Sequence, residues 1–169
     1  MAAANLLAVW EWPARVAAPW PNPDYAYLPN RNQFDAGKIL TGLSQRLPAN
    51  RVRVGITALD ICLPILSYVF GEAVLGERVA LVSLARLSLN PDGSRADQGL
   101  FLERLAKICL HETAHSLGLS HCREPGCLMR FSPGISNVDD LNLHFCLSCQ
   151  ARVAFQKKVL QEGIIGRIA

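Results

Sequence analysis

The stretch HETAHSLGLSHCREPGCLM, residues 111–129, decides how the rest of the chain is read. His111 and His115 are spaced so that a helix sets both imidazoles on one face, about one turn apart. Glu112 flanks that face. The result is H-E-x-x-H, two zinc ligands and a carboxylate placed to act on a water held by the metal. Gly118 offers the helix a left-handed end, and the chain turning back there can return His121 to the same ion as a third ligand. Three protein ligands leave a fourth position open, the layout of a catalytic site. A bare H-E-x-x-H also arises by chance on amphipathic helices. Here Gly118, His121 and Met129 follow in order and carry the reading.

A second constellation is interleaved with the first. Cys122-x4-Cys127 and Cys146-x2-Cys149 are two close cysteine pairs. Four thiolates satisfy tetrahedral zinc and leave no open position, so this set reads as structural, its binding energy being folding energy for the segment around it. Two disulfides are the alternative. The opening MAAANLLAVW lacks the basic residues of a secretory signal, which favours a cytoplasmic protein with reduced thiols. His121 and Cys122 are adjacent, so one peptide link joins the two sites. Cys62 and Cys109 read as buried small thiols.

Composition excludes several classes. The 169 residues suit one domain with a full core, and 50% apolar against 18% charged residues is globular. A net charge of +3 without basic runs does not argue for nucleic acid. No apolar run reaches the length of a membrane span. A monomer is expected.

Residues 5–12 (NLLAVWEW) read as a buried strand. Five prolines between positions 13 and 29 exclude a helix or central strand, leaving an irregular excursion whose Trp20, Tyr25 and Tyr27 pack onto the core. Residues 32–47 read as a helix capped by Asn32, with Ile39, Leu40, Leu43 and Leu47 on one face. Residues 51–63 read as one strand with Asp60 capping nearby backbone, followed by strands at 68–75 and 78–87. After an N-P-D-G turn, a helix over about residues 95–117, opened by Ser94 or Asp97, carries the histidines. A last helix spans 147–161. The order predicts an α+β domain over residues 1–169, a mixed sheet with two covering helices. It divides into an N-terminal part, 1–117, and a small C-terminal subdomain, 118–169, too poor in apolar residues to hold together by burial alone.

HETAHSLGLSHC, four further residues, CLM, and then CLSC at 146–149 resemble the archaemetzincins, a family of metzincin-like zinc metallopeptidases. The resemblance implies a zincin-type fold with a backing helix and an active-site helix. It implies two zinc ions per chain, a catalytic one on His111, His115 and His121 and a structural one on Cys122, Cys127, Cys146 and Cys149. Glu112 would be the general base, and Met129 would lie in a turn beneath the histidines. A peptide substrate would pair with residues 78–87 as an edge strand. Metzincins often place a Tyr after that Met, and none follows Met129 here. Glu124, Asp139 and Asp140 are candidates by type to hold a substrate amino terminus, and His144 reads as a histidine without a ligand role. The alternative from another class is a catalytically silent, zinc-stabilised peptide-binding module. An intact Glu112 argues for the enzyme.

Overall fold

A computed structural model describes residues 10–162. In chain order it contains β1 (Tyr27–Leu28), β2 (Gln33–Asp35), helix α1 (Ala36–Ser44), β3 (Arg53–Thr57), β4 (Ile61–Cys62), β5 (Gly71–Val74) and β6 (Val79–Ser83). Helices α2 (Gln98–Ser116), α3 (Ile135–Asp139) and α4 (Leu147–Glu162) complete it. The strand expected at residues 5–12 lies mostly outside the described residues.

The main sheet has the order β3-β6-β5, with β3 parallel and β5 antiparallel to β6. It is the mixed sheet expected, but residues 78–87 are not its edge. β6 is the central strand, buried at every position. Its continuous apolar run follows from burial on both faces. Val79 and Leu81 pack with Ile39, Leu40 and Leu43 of α1 on one face, while Val82 packs with Leu105, Ile108 and Cys109 of α2 on the other. The edge strand that lies against α2 is β5.

Three further expectations are corrected. The helix starts at Ala36, not near Asn32. Asn32 takes a left-handed backbone (φ 51°), and residues 33–35 are drawn into a small second sheet, β1-β2-β4. Asp35 is the cap, accepting from the Lys38 N–H at 3.1 Å. The single strand at 51–63 is two strands in different sheets, broken where the Thr57 hydroxyl accepts from the Leu59 N–H. Asp60 at that break does not cap backbone. It takes a forked pair of hydrogen bonds from Arg86 at 2.8 Å each, and one from Gln33. The proline-rich excursion holds a 3-10 turn at Asp24–Ala26 as well as β1, and its Trp20 (54% exposed) and Tyr25 (61%) lie on the surface instead of in the core.

Helix α2 is capped by Asp97, whose side chain accepts from Leu100 N–H at 2.9 Å. Its burial is nearly all-round from Arg104 to Ala114, so its polar residues need internal partners. Arg104 forks onto Asp139 at 2.6 and 2.7 Å and donates to the Leu87 and Leu89 carbonyls. Lys107 donates to the Asp139 carbonyl and pairs with Glu103. This network seats α3 on α2. It also commits Asp139, which is therefore not free to hold a substrate amine. Under the far end of α2, Leu110, Ala114, Leu117 and Leu119 share a core with Trp10, Leu128, Met129, Phe145 and Val153. The cysteine segment thus shares its core with the end of α2.

Candidate active site and metal centres

The end of α2 is built by Gly118. Its φ of 93° is left-handed, a conformation open to glycine at little cost. Gly118 N–H donates to the His115 carbonyl at 2.8 Å and Leu119 N–H to the Ala114 carbonyl at 3.0 Å. This paired pattern closes the helix and reverses the chain. The β5–β6 turn is pinned to the same end, with Gly76 and Arg78 N–H donating to the His115 and Ser116 carbonyls.

That reversal brings His121 back to His111 and His115. The Nε2 atoms of His111 and His115 are 2.9 Å apart, and those of His115 and His121 3.2 Å. Two nitrogens about 2.1 Å from a tetrahedral zinc stand roughly 3.4 Å apart, so the set is close to the size such an ion needs. The other ring nitrogens are occupied. His111 Nδ1 meets the Leu128 carbonyl at 2.7 Å and His115 Nδ1 the Leu119 carbonyl at 2.6 Å. Donation there leaves Nε2 as the lone-pair nitrogen facing the gap. Burial pushes all three imidazoles down, His111 to about 3, which favours the neutral form that binds metal.

Glu112 is buried beside the triad, under β5. The contact is made possible by Gly71. A Cβ at position 71 would stand 2.6 Å from Glu112 Cγ and 2.9 Å from the Leu81 carbonyl oxygen. Both are closer than real Cβ contacts, so the strand or the carboxylate would have to move. Burial pushes the Glu112 carboxyl well above the usual carboxylate range, and the charge of Glu72 on the same strand adds to the rise. Gly71→Ala is expected to lower kcat by up to about 100-fold through displacement of that carboxylate, with bound zinc unchanged. Wild-type kcat in the variant would refute the role given to this contact.

Cys122, Cys127, Cys146 and Cys149 are brought together, their sulfurs all within 4.8 Å. All four are free thiols, so the disulfide alternative is set aside. The Cys122 and Cys146 sulfurs are 3.8 Å apart. That is the separation of two thiolates about 2.3 Å from a tetrahedral zinc. One member of the set is shifted toward thiolate, while burial pushes Cys127 and Cys149 the other way. The Cys149 N–H holds Cys146 down at about 7, and the Cys146 N–H donates to Cys127 Sγ at 3.4 Å. Cys62 and Cys109 are buried elsewhere, Cys109 pushed up to about 12 by burial, as suits inert core thiols.

A family model described as Peptidase family M54 matches residues 39–155, well over half of the chain. The chain belongs to peptidase family M54. It is 32% identical over 155 residues to the archaemetzincin of Natronomonas pharaonis, covering 90% of this chain and 89% of that one. The crystal structure of the Archaeoglobus fulgidus archaemetzincin complexed with malonate superposes with a TM-score of 0.77 at 34% identity, over 89% of both chains. A zinc-dependent peptidase from Methanocorpusculum labreanum superposes with a TM-score of 0.80 at 28% identity, over 90% and 91%. As a member of family M54 the protein is a zinc metallopeptidase with an α+β fold. No described helix is long and apolar enough to cross a membrane.

Three features of this M54 peptidase are not legible from the motif. Glu72 and Gly71 come to Glu112 through strand pairing, across about forty residues of chain. The Leu119 and Leu128 carbonyls that orient the histidines are backbone atoms and leave no mark on residue type. Phe131 is the third. It stands two residues beyond Met129 with its ring edge-on to His121, centroids 5.1 Å apart. Glu124, Asp140 and His144 are exposed, the last offering its backbone carbonyl to Leu128 N–H.

Proposed function

We propose that the chain hydrolyses peptide bonds at a zinc ion held by His111, His115 and His121, with Glu112 as general base. Cys122, Cys127, Cys146 and Cys149 hold a second, structural zinc that stabilises residues 118–169. The observation that carries the reading is the convergence of three imidazole Nε2 atoms, two of them fixed through Nδ1 by backbone carbonyls, beside a buried carboxylate. When bound, zinc supplies Lewis acidity that polarises the scissile carbonyl and acidifies water. Glu112 takes a proton from the attacking water and passes it to the leaving amine.

The raised Glu112 carboxyl fits this role once the metal is counted. Burial and Glu72 favour the protonated acid. A divalent cation on the three neighbouring imidazoles acts in the opposite direction and favours the carboxylate. Metal loading and base ionisation are therefore linked, and the base is armed only in the loaded protein. The edge of β5, not residues 78–87, offers backbone groups for an extended substrate beside Glu112.

Elemental analysis alongside cleavage of a mixed peptide library tests this. Two zinc ions per chain are expected, with cleavage lost on chelation and restored by zinc. One zinc would remove one of the two sites. Two zinc ions with no cleavage would leave a silent peptide-binding module.

A further inference from the structure

We propose that Phe131 is a specificity-determining residue, its ring forming an apolar wall beside the metal centre that takes an apolar side chain of the peptide substrate next to the scissile bond. The inference rests on the peptidase reading of the histidine triad and adds the chemistry of the substrate to it.

Phe131 is 62% exposed, although it is a large aromatic in contact with a member of the histidine triad. Its edge-on contact is with His121, the most exposed of the three histidines. The backbone that presents it is ordered on both sides. Arg130 bridges to Cys122, and Cys122 N–H donates to the Met129 carbonyl at 2.8 Å. The Ser132 hydroxyl donates to the Arg130 carbonyl at 3.2 Å. The ring is thus held out by a fixed turn, while Met129 two residues before it is fully buried. What singles Phe131 out among the exposed aromatics is its fixed place against a ligand histidine, where it supplies the apolar lining that ligand sites combine with a few polar groups. Phe131 carries no donor or acceptor, so it cannot stabilise developing charge as a tyrosine hydroxyl would. What it offers is apolar area, and therefore discrimination between substrates.

Two matched peptide series test the assignment, identical except for an apolar or a polar side chain next to the cleaved bond. In the zinc-loaded enzyme, Phe131→Ala is expected to lower kcat/KM for the apolar series by about tenfold or more and to leave the polar series unchanged. Phe131→Leu should restore most of the preference. Loss confined to a uniform fall across both series, with falling zinc content, would mean that Phe131 only props His121, and would overturn the proposal. A second readout needs no turnover. In zinc-loaded Glu112→Gln protein, Phe131→Ala should weaken binding of the apolar peptides alone, measured by calorimetry. Phe155→Ala, an exposed aromatic on α4 with no ring contact to a histidine, serves as the control and should change neither series. No cleavage by the wild type would remove the peptidase reading and this assignment together. Cleavage with a preference that survives Phe131→Ala would remove this assignment alone.

Discussion

Glu112→Gln is expected to keep both zinc ions and to lose hydrolysis by about 10²- to 10⁴-fold. Glutamine has nearly the same shape, so the packing against Gly71 is preserved, but a neutral amide cannot take up the proton of the attacking water. The histidines are oriented by the Leu119 and Leu128 carbonyls, which the substitution leaves in place. Metal content should therefore be that of the wild type by elemental analysis, and kcat should carry the whole loss. Turnover within a few-fold of wild type would end the role given to this residue.

The same variant has a second, opposite signature in the metal-free protein. Glu112 titrates higher in the folded than in the unfolded chain, because burial and Glu72 disfavour its charge. A group of this kind binds protons more tightly when folded. Its contribution is fully present below the ordinary glutamate range and is lost as pH rises from there toward the folded pKa. At neutral pH the unfolded state is ionised and the folded state resists ionisation, so the acid costs stability. Metal-free Glu112→Gln should then melt higher than metal-free wild type at pH 7, and the gap should close as pH falls below the ordinary glutamate range. A gain in stability together with a loss of activity is the mark of a residue kept for chemistry.

How far the residues announce this site differs with the kind of interaction. Helix α2 was legible from end to end because each signal is local. Asp97 caps it, the apolar positions recur along it, and Gly118 closes it. The two ligand sets were legible because metal chemistry constrains residue type and spacing. The strands were less so. Residues 51–63 read as one strand because apolar positions recur throughout, and only the pairing of β3 with β6 and of β4 with β2 divides them. The edge was misassigned for a related reason. β6 reads as the strongest strand because it is buried on both faces, and that places it in the middle, whereas the edge β5 is a weak pattern, GEAV, whose glycine makes room for Glu112. Trp20 and Tyr25 were expected inside on residue type alone, but the prolines around them keep the segment on the surface.

Cys149→Ser is expected to remove the structural zinc and to weaken the catalytic zinc by about 10- to 100-fold, the usual effect of losing groups that orient metal ligands. Two links carry the effect. The first is the His121–Cys122 peptide bond, which fixes the third histidine to the first cysteine. The second runs through Leu128, which sits between Cys127 and Met129. Its carbonyl receives the His111 ring proton at 2.7 Å, and its N–H donates to the His144 carbonyl, two residues before Cys146. The cysteine cluster therefore holds the carbonyl that orients His111 and the backbone that carries His121. His115 is oriented by Leu119 inside the helix-ending turn and should keep its geometry. A structural zinc of this class contributes about 10–16 kcal/mol of apparent binding energy to folding, so residues around 122–149 should also lose protection from hydrogen exchange. Titration against a chelator of known affinity reads the catalytic site directly, and Cys62→Ser, a buried cysteine outside both sets, is the control. If the variant folds with one zinc and binds it as tightly as the wild type does, the two centres are independent despite sharing adjacent residues. If it binds that zinc more weakly, the cysteine cluster acts as part of the catalytic machinery at one remove, and oxidation of those thiols would silence the enzyme without touching a histidine.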